Sequence, residues 1–415
     1  MKETNFRRFL ILWMGQLISS IGGGLTSFGL GVYVFEKTGS AAGMALVTLL
    51  GFFPTLLLSV PAGVLADRYD RRLLMMLGDG FSGMGVLFLL ICMIRGEASL
   101  FQICIGVLIS AVFSSLLDPA YKATVSDLLT AEEYSKASGL VSLAGSARYL
   151  VSPVIAGILL SVSDIKLLLV IDIGTFLLTV ISTFVVKRGI KAKKNMEQLS
   201  FRESLQDGWH AIRERRGVFL LVMVSSLLTL FIGGFQILAE PLILSMADAR
   251  TLGITETICA SGMLVSSLYL GIRGIKAGYV KILSLSLTLA GVCILGFGVF
   301  ESMVLITLSG FGFFMMLPFA NTCLDFLVRT NTSVQVQGRI WGIVGFLSQI
   351  GYVIAYGCSG VLADGIAKCG GVSVGRGAGM VIAFAGAALV MISVSILFVK
   401  EIRVLEEKRG KGEER

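Results

Sequence analysis

Twelve long apolar stretches dictate what this chain can fold into. They run through residues 9–35, 42–66, 73–94, 99–124, 138–161, 166–187, 217–245, 252–273, 280–300, 302–326, 338–362 and 377–399. A helix rises about 1.5 Å per residue, so about 20 apolar residues cross the hydrocarbon layer of a bilayer. Nearly every stretch reaches that length. Lipid offers no hydrogen bonds to the backbone, which leaves the helix as the expected spanning element. A β-barrel would show short alternating segments instead. Charged residues make up only 15% of the chain, against about 25% in soluble domains. The expectation is an all-α membrane protein with twelve transmembrane helices and the lipid bilayer as its solvent.

The net charge of +8 is placed by topology. With the N-terminus in the cytoplasm, 28 of the 35 Lys and Arg fall in inside segments. Six fall in outside loops, and Arg148 alone lies within a span. This distribution follows the positive-inside rule and predicts that both termini are cytoplasmic. No nucleic-acid partner is expected. Residues Met1–Arg8 lack a cleavable signal, and the first apolar run is long enough to remain as a helix. The seven cysteines include no C-x-x-C pair and mostly sit in apolar runs, as small packing residues do.

Six spans precede the polar segment 188–216 and six follow it. Pro119 and Gly139 recur as Pro318 and Gly338 at an offset of 199, and Val154-Ile155-Ala156 recurs as Val353-Ile354-Ala355 at the same offset. The repeat argues for duplication of a six-helix unit. Parallel six-helix halves describe the major facilitator fold, with its site at the midplane. The expected organisation is an N-terminal bundle over 1–187, a cytoplasmic linker over 188–216, a C-terminal bundle over 217–400 and a charged, frayed cytoplasmic tail over 401–415. In the linker, Ser200-Phe201-Arg202-Glu203 reads as a capping box. Phe201, Leu205, Trp209 and Ile212 then recur at the spacing of an amphipathic surface helix, which also carries the sole histidine, His210.

Between spans two and three lies Gly63-Val64-Leu65-Ala66-Asp67-Arg68-Tyr69-Asp70-Arg71-Arg72. The small Gly63 suits close helix approach. Asp67 can pair with a cation or a helix N-terminus and hold a cytoplasmic gate. An ordinary basic loop would explain the arginines but not the ordered glycine and acid. Gly63, Asp67, Arg68, Arg71 and Arg72 match the major facilitator signature G-x-x-x-D-R-x-G-R-R, which this segment resembles, with Asp70 in place of the second glycine. The loop at the corresponding place in the second half, Arg273-Gly274-Ile275-Lys276, is basic but has no acid.

Together with Trp13-x-Gly15-Gln16-x-x-Ser19, Thr38-Gly39-Ser40, Pro54 and Gln337-Gly338-Arg339, this motif makes almost the whole chain resemble the drug–proton antiporter branch that includes the macrolide efflux proteins. The resemblance implies a bacterial inner-membrane location, export of a small amphipathic substrate and protons as the coupling partner. It also implies a monomer with no cofactor. Two positions depart from the pattern. Gly23 stands where members often carry an acid, and Arg148 occupies a glycine position of a fifth-span motif otherwise reduced to Gly139, Ser152-Pro153 and Ala156-Gly157.

Ionisable side chains within spans cost about 2.5–3.5 kcal/mol each at the helix centre, so each needs a partner or a wet cavity. The coupling candidates are Arg148, Asp118, Glu240, Asp79, Asp172 and Asp325. Arg148 lies near the midplane, and Asp118 is its nearest candidate partner by sequence logic. Those near span ends can also snorkel or cap helices. Spans one, four, seven and ten line the cavity in the family resembled. Here they offer Gln16, Ser20, Thr26, Ser114, Gln236 and Asn321 among many aromatics, a sparse polar set suited to a bulky lipophilic substrate; helix bridging accounts for the same residues equally well.

Gly375-Arg376-Gly377-Ala378-Gly379 follows no strand and lacks the P-loop lysine. No metal site is expected from one histidine and scattered acids. No nucleophile–base set is visible, so an enzyme is not expected. The leading function is a proton-coupled exporter of amphipathic drugs such as macrolides, working by alternating access. A second reading is export or flipping of a siderophore or lysolipid. A sensor or a channel is the alternative of another class, disfavoured by the short polar segments and by the repeat.

Overall fold

Unbroken apolar runs close their backbone hydrogen bonds within each segment, and the computed structural model is helical accordingly. It describes residues 6–129, 131–187, 216–275, 277–332 and 334–410. The expected surface helix of 188–216, with His210, lies outside the described residues apart from Arg216. The helices are α1 Phe6–Thr38, α2 Ala41–Arg68, α3 Arg71–Arg95, α4 Leu100–Ser114, α5 Leu117–Leu128, α6 Ala131–Leu150, α7 Ser152–Val162, α8 Ile165–Lys187, α9 Arg216–Leu244, α10 Ala249–Arg273, α11 Tyr279–Val299, α12 Met303–Thr330, α13 Val334–Gly370, α14 Val374–Ile396 and α15 Lys400–Gly410. No strand occurs among the described residues. By length and apolar composition they supply twelve membrane spans, the fourth formed by α4 with α5 and the fifth by α6 with α7.

Local signals set the boundaries. Gly39 ends α1 in the left-handed conformation, at φ 60°, and the Ser40 hydroxyl then accepts from Gly43 N at 3.1 Å to cap α2. Ser99 and Gln102 form a full capping box at α4. In the loop before α10, hydrogen bonds from the Thr251 hydroxyl and backbone N–H hold the Asp248 carboxyl below its ordinary range. A contact with Lys166 does the same for Asp164, between α7 and α8.

Contacts sort the chain into two compact units, Met1–Glu197 with Ala247–Thr257, and Gln198–Met246 with Ile258–Arg415. The first turns of α10 therefore belong with the first unit. A β-carbon on Gly253 would press on the Pro153 carbonyl, and Thr257 Oγ1 donates to Leu150 O at 3.0 Å.

In the first unit, α1 packs along α8, and α3 packs on both α4 and α8. Small residues permit the approach. A β-carbon on Gly15 would meet Ser182, one on Gly24 would meet Ser152, and one on Gly85 would sit 2.6 Å from Gly106 O. The fourth span breaks at Ser115–Leu116. Pro119 has no N–H to return to residue 115, so the ladder is interrupted one turn before it. The fifth span breaks at Val151, just before Pro153.

In the second unit, α11 pairs with α12 and α14, and α9 with α13. The α11–α14 crossing is close enough that a β-carbon on Gly379 would lie 2.7 Å from Gly298 O, and one on Gly291 3.0 Å from Gly386 O. Phe235 of α9 packs edge-on to Phe297 of α11 and against Phe313 of α12, at centroid separations of 4.7 and 4.8 Å. The expected fraying of the tail is corrected through Gly410. Residues Lys400–Gly410 form α15, with Ile402 2% exposed. Glu406 accepts from Tyr279 N at 2.8 Å and Val280 N at 3.2 Å, capping α11 from a distance in sequence. Asn331 Nδ2 donates to Leu405 O at 3.1 Å. An acid at a helix N-terminus also meets a favourable dipole.

Candidate functional site

The α2–α3 motif is assembled around Arg71. Its Nη1 lies 2.8 Å from Asp127 Oδ2 of α5, and it also donates to Ala123 O at 3.2 Å. Its Nε donates to Ala66 O at 3.2 Å. One side chain thus ties the end of α2 to α3 and α5. Asp70, which replaces the signature glycine, caps α3 by accepting from Arg72 N and Leu73 N at 3.0 and 3.4 Å. Arg72 is buried and Arg68 exposed. A β-carbon on Gly63 would meet nothing within 4 Å among the described residues. The Asp67 side chain lies outside the described set.

A second constellation sits inside the first bundle. Asp79 of α3 and Asp172 of α8 are each 1% exposed, and the charge of Asp172 reaches Asp79. Neither oxygen of Asp79 has a hydrogen-bond partner. Asp172 Oδ1 lies 3.4 Å from Thr175 Oγ1. The Thr26 hydroxyl of α1, also buried, stands near Asp172 without reaching hydrogen-bond geometry. Gly22 makes the wall close, because a β-carbon there would be 2.9 Å from Asp172 Oδ1. Thr26 therefore stands beside Asp172. An uncompensated charge buried this deeply costs several kcal/mol, so such a pair marks function more often than stability.

The third feature is Arg148. It does not join Asp118, as sequence logic expected. Its Nη2 donates to Ser27 Oγ of α1 at 2.8 Å, and Ser27 in turn donates to Gly23 O at 2.8 Å. Its charge reaches Asp172 electrostatically. Gln16, Ser20, Gly23 and Ser27 recur every three or four residues and so share one face of α1.

The other candidates have other company. Asp118 pairs with Lys122 at 2.7 Å on an exposed surface, and Asp325 pairs with Arg329 at 2.8 Å. Both are i,i+4 pairs at the helix surface. Ser114 bridges helices through Ser82 at 2.9 Å. Gln236 Oε1 accepts from Tyr356 at 3.1 Å. Glu240 is half-buried in α9, Asn321 is exposed on α12, and Gln16 and Ser20 are half-buried. Sequence reasoning overlooked Glu256, an acid within α10 flanked by the buried Thr255; its signal was a lone carboxyl within an apolar run. It also overlooked Asp127, whose partner lies 56 residues away. Among the described residues, no group of three His, Cys, Asp or Glu could hold a metal ion.

Comparison with known proteins gives these features a setting. The sequence pattern of the Major Facilitator Superfamily matches residues 12–356. Macrolide efflux protein A of Streptococcus pyogenes is 25% identical over 420 residues, covering 98% of this chain and 100% of that protein. The staphyloferrin A transporter of Staphylococcus aureus is 24% identical over 82% of this chain and 83% of its own length. The enterobactin exporter EntS of Shigella flexneri is 31% identical over 38% of each chain. Among solved structures, a bacterial homologue of the iron transporter ferroportin superposes with a TM-score of 0.72 at 14% identity, over 95% of this chain and 100% of that one. The nucleoside transporter NupG gives 0.70 at 14% identity, over 95% and 100%. At such identity these structures support the fold alone.

Proposed function

The chain belongs to the Major Facilitator Superfamily, and we propose that this membrane transporter exports a small amphipathic molecule such as a macrolide in exchange for protons. The export reading rests on the end-to-end similarity to macrolide efflux protein A. The proton reading rests on one observation, the buried Asp79 and Asp172, with no ion pair to either carboxyl among the described residues. Two carboxyls so placed suit the binding of one exchangeable proton.

The link to substrate runs through α1. One side of this helix, at Gly22 and Thr26, walls the acid pair. Another carries Gln16, Ser20 and Ser27. Protonation of the pair changes the packing of α1 on α8, and a substrate held on the polar face meets that change. Arg71, through Asp127 and the end of α2, holds the signature loop in one arrangement, from which alternating access departs. The termini and residues 188–216 face the cytoplasm in this reading.

Everted membrane vesicles given erythromycin in the external medium test it. The expected result is uptake that depends on an imposed proton gradient and collapses with a protonophore. Uptake no different from empty-vector vesicles would remove the drug-export reading. The siderophore relatives and Arg148, which makes no ion pair among the described residues, favour a second reading, export of a siderophore by the same route.

A further inference from the structure

Arg148 holds a cation inside a membrane span, in no ion pair among the described residues. It lies about nine residues into the span Gly139–Val162, roughly 14 Å deep by helix rise. Its described hydrogen bond goes to Ser27 Oγ, at 2.8 Å, and no ion pair involves it among the described residues. Guanidinium carries five N–H donors in a planar fork, so most of the fork is left for something outside the protein. The side chain is exposed, as is Ser27. Exposure of a charge to hydrocarbon at this depth is costly, and cations within spans almost always face the bundle interior or a water-filled cavity, so this face is read as bordering water or a solute path.

The space beside the fork is built by glycine. Gly23, one turn from Ser27 on α1, and Gly145, one turn from Arg148 on α6, each have nothing within 4 Å of where a β-carbon would stand. Ser27 spends its proton on Gly23 O, so it orients the guanidinium as an acceptor and does not compete for the same ligand. A planar cation beside an open floor fits an acidic headgroup attached to an apolar body.

We propose that Arg148 and the Gly23–Gly145 niche form a binding subsite for the anionic group, a carboxylate or phosphate, of an amphipathic transported molecule. The subsite discriminates by charge against cationic amphipaths, macrolides with their protonated amine among them. The inference therefore rests on the second, siderophore-export form of the export reading and narrows its substrate class to anions.

The test uses the full-length protein in phosphatidylcholine nanodiscs with two matched fluorescent probes, 11-(dansylamino)undecanoate and the corresponding dansyl undecylamine. Wild type is expected to bind the carboxylate the more tightly. Arg148→Gln should weaken the carboxylate by about tenfold or more, the range of a charge-assisted hydrogen bond, and leave the amine unchanged or tighter. Arg148→Lys should restore part of the difference. Equal binding of the two probes by wild type, or an equal loss of both in a folded Arg148→Gln, overturns the subsite. Adding phosphatidylglycerol to the discs separates a lipid headgroup from a transported molecule. Carboxylate binding should persist there, and its abolition in wild type overturns the transported-anion assignment in favour of lipid. Erythromycin uptake in everted vesicles is read separately, and its failure alone counts against the drug-export reading.

Discussion

At the 199-residue offset, the fifth and eleventh spans meet their neighbours by the same device with the residues exchanged. In the first half Gly24 of α1 backs onto Ser152 of α7; in the second, Gly351 of α13 backs onto Thr229 and the Ser226 carbonyl of α9. The small residue has moved to the opposite helix, and the close approach is kept. The helices differ in continuity. Pro153 accompanies a break at Val151, whereas the repeat places Tyr352 there and α13 runs through. Charge differs as well. The first half holds Asp79, Asp172 and Arg148 within its spans, and the second packs Phe235, Phe297 and Phe313 at its centre. The two halves therefore share a packing device at this crossing, while the acids buried almost completely, Asp79 and Asp172, lie in the first.

The largest effect should come from that chemistry. Asp79→Asn and Asp172→Asn should each cut gradient-driven uptake to below about a tenth of wild type while the protein stays folded. An equal loss from Asp325→Asn, on the other half, would break the contrast. Steric substitutions probe the shared packing next. Gly298→Leu should cost about 1–3 kcal/mol against the Gly379 carbonyl, seen as a lower unfolding temperature, whereas Gly63→Ala should be silent; equal shifts would contradict the assigned contacts. Loss of the half-buried Arg71–Asp127 pair should cost about 1–2 kcal/mol from either side, with the double variant no worse than the singles. Uncapping α11 with Glu406→Gln should cost about 0.5–1 kcal/mol, read by denaturation of the purified protein. The smallest effect is expected at the exposed Asp118–Lys122 pair, where Asp118→Asn should stay within about 0.5 kcal/mol and leave uptake unchanged. A transport defect there would return Asp118 to the coupling set.

The spans were legible because a run of about 20 apolar residues has one solution in lipid, and the duplication because proline and small residues survive at fixed offsets. The side on which a charge lies was not legible. Asp79 and Asp118 both read as acids within apolar runs. One faces a helix 93 residues further on, the other its own i+4 lysine. Only the latter spacing is local. Asp70 looked like a blemish in the signature, yet its carboxylate caps α3. The docking of α15 was hidden because a charged tail reads as solvated until Glu406 finds backbone donors far upstream.

That last contact has a consequence in time. Tyr279 N and its acceptor on Glu406 are separated by 127 residues. At synthesis rates of about 5–20 residues per second, the amides that open α11 wait roughly 6–25 s for their carboxylate. Every tertiary contact described within Phe6–Lys187 can form before that interval begins. The second half cannot close until translation is nearly over, so a truncated product lacking α15 would present a finished first bundle beside an unfinished second one, and quality control would meet the two halves at different stages of completion.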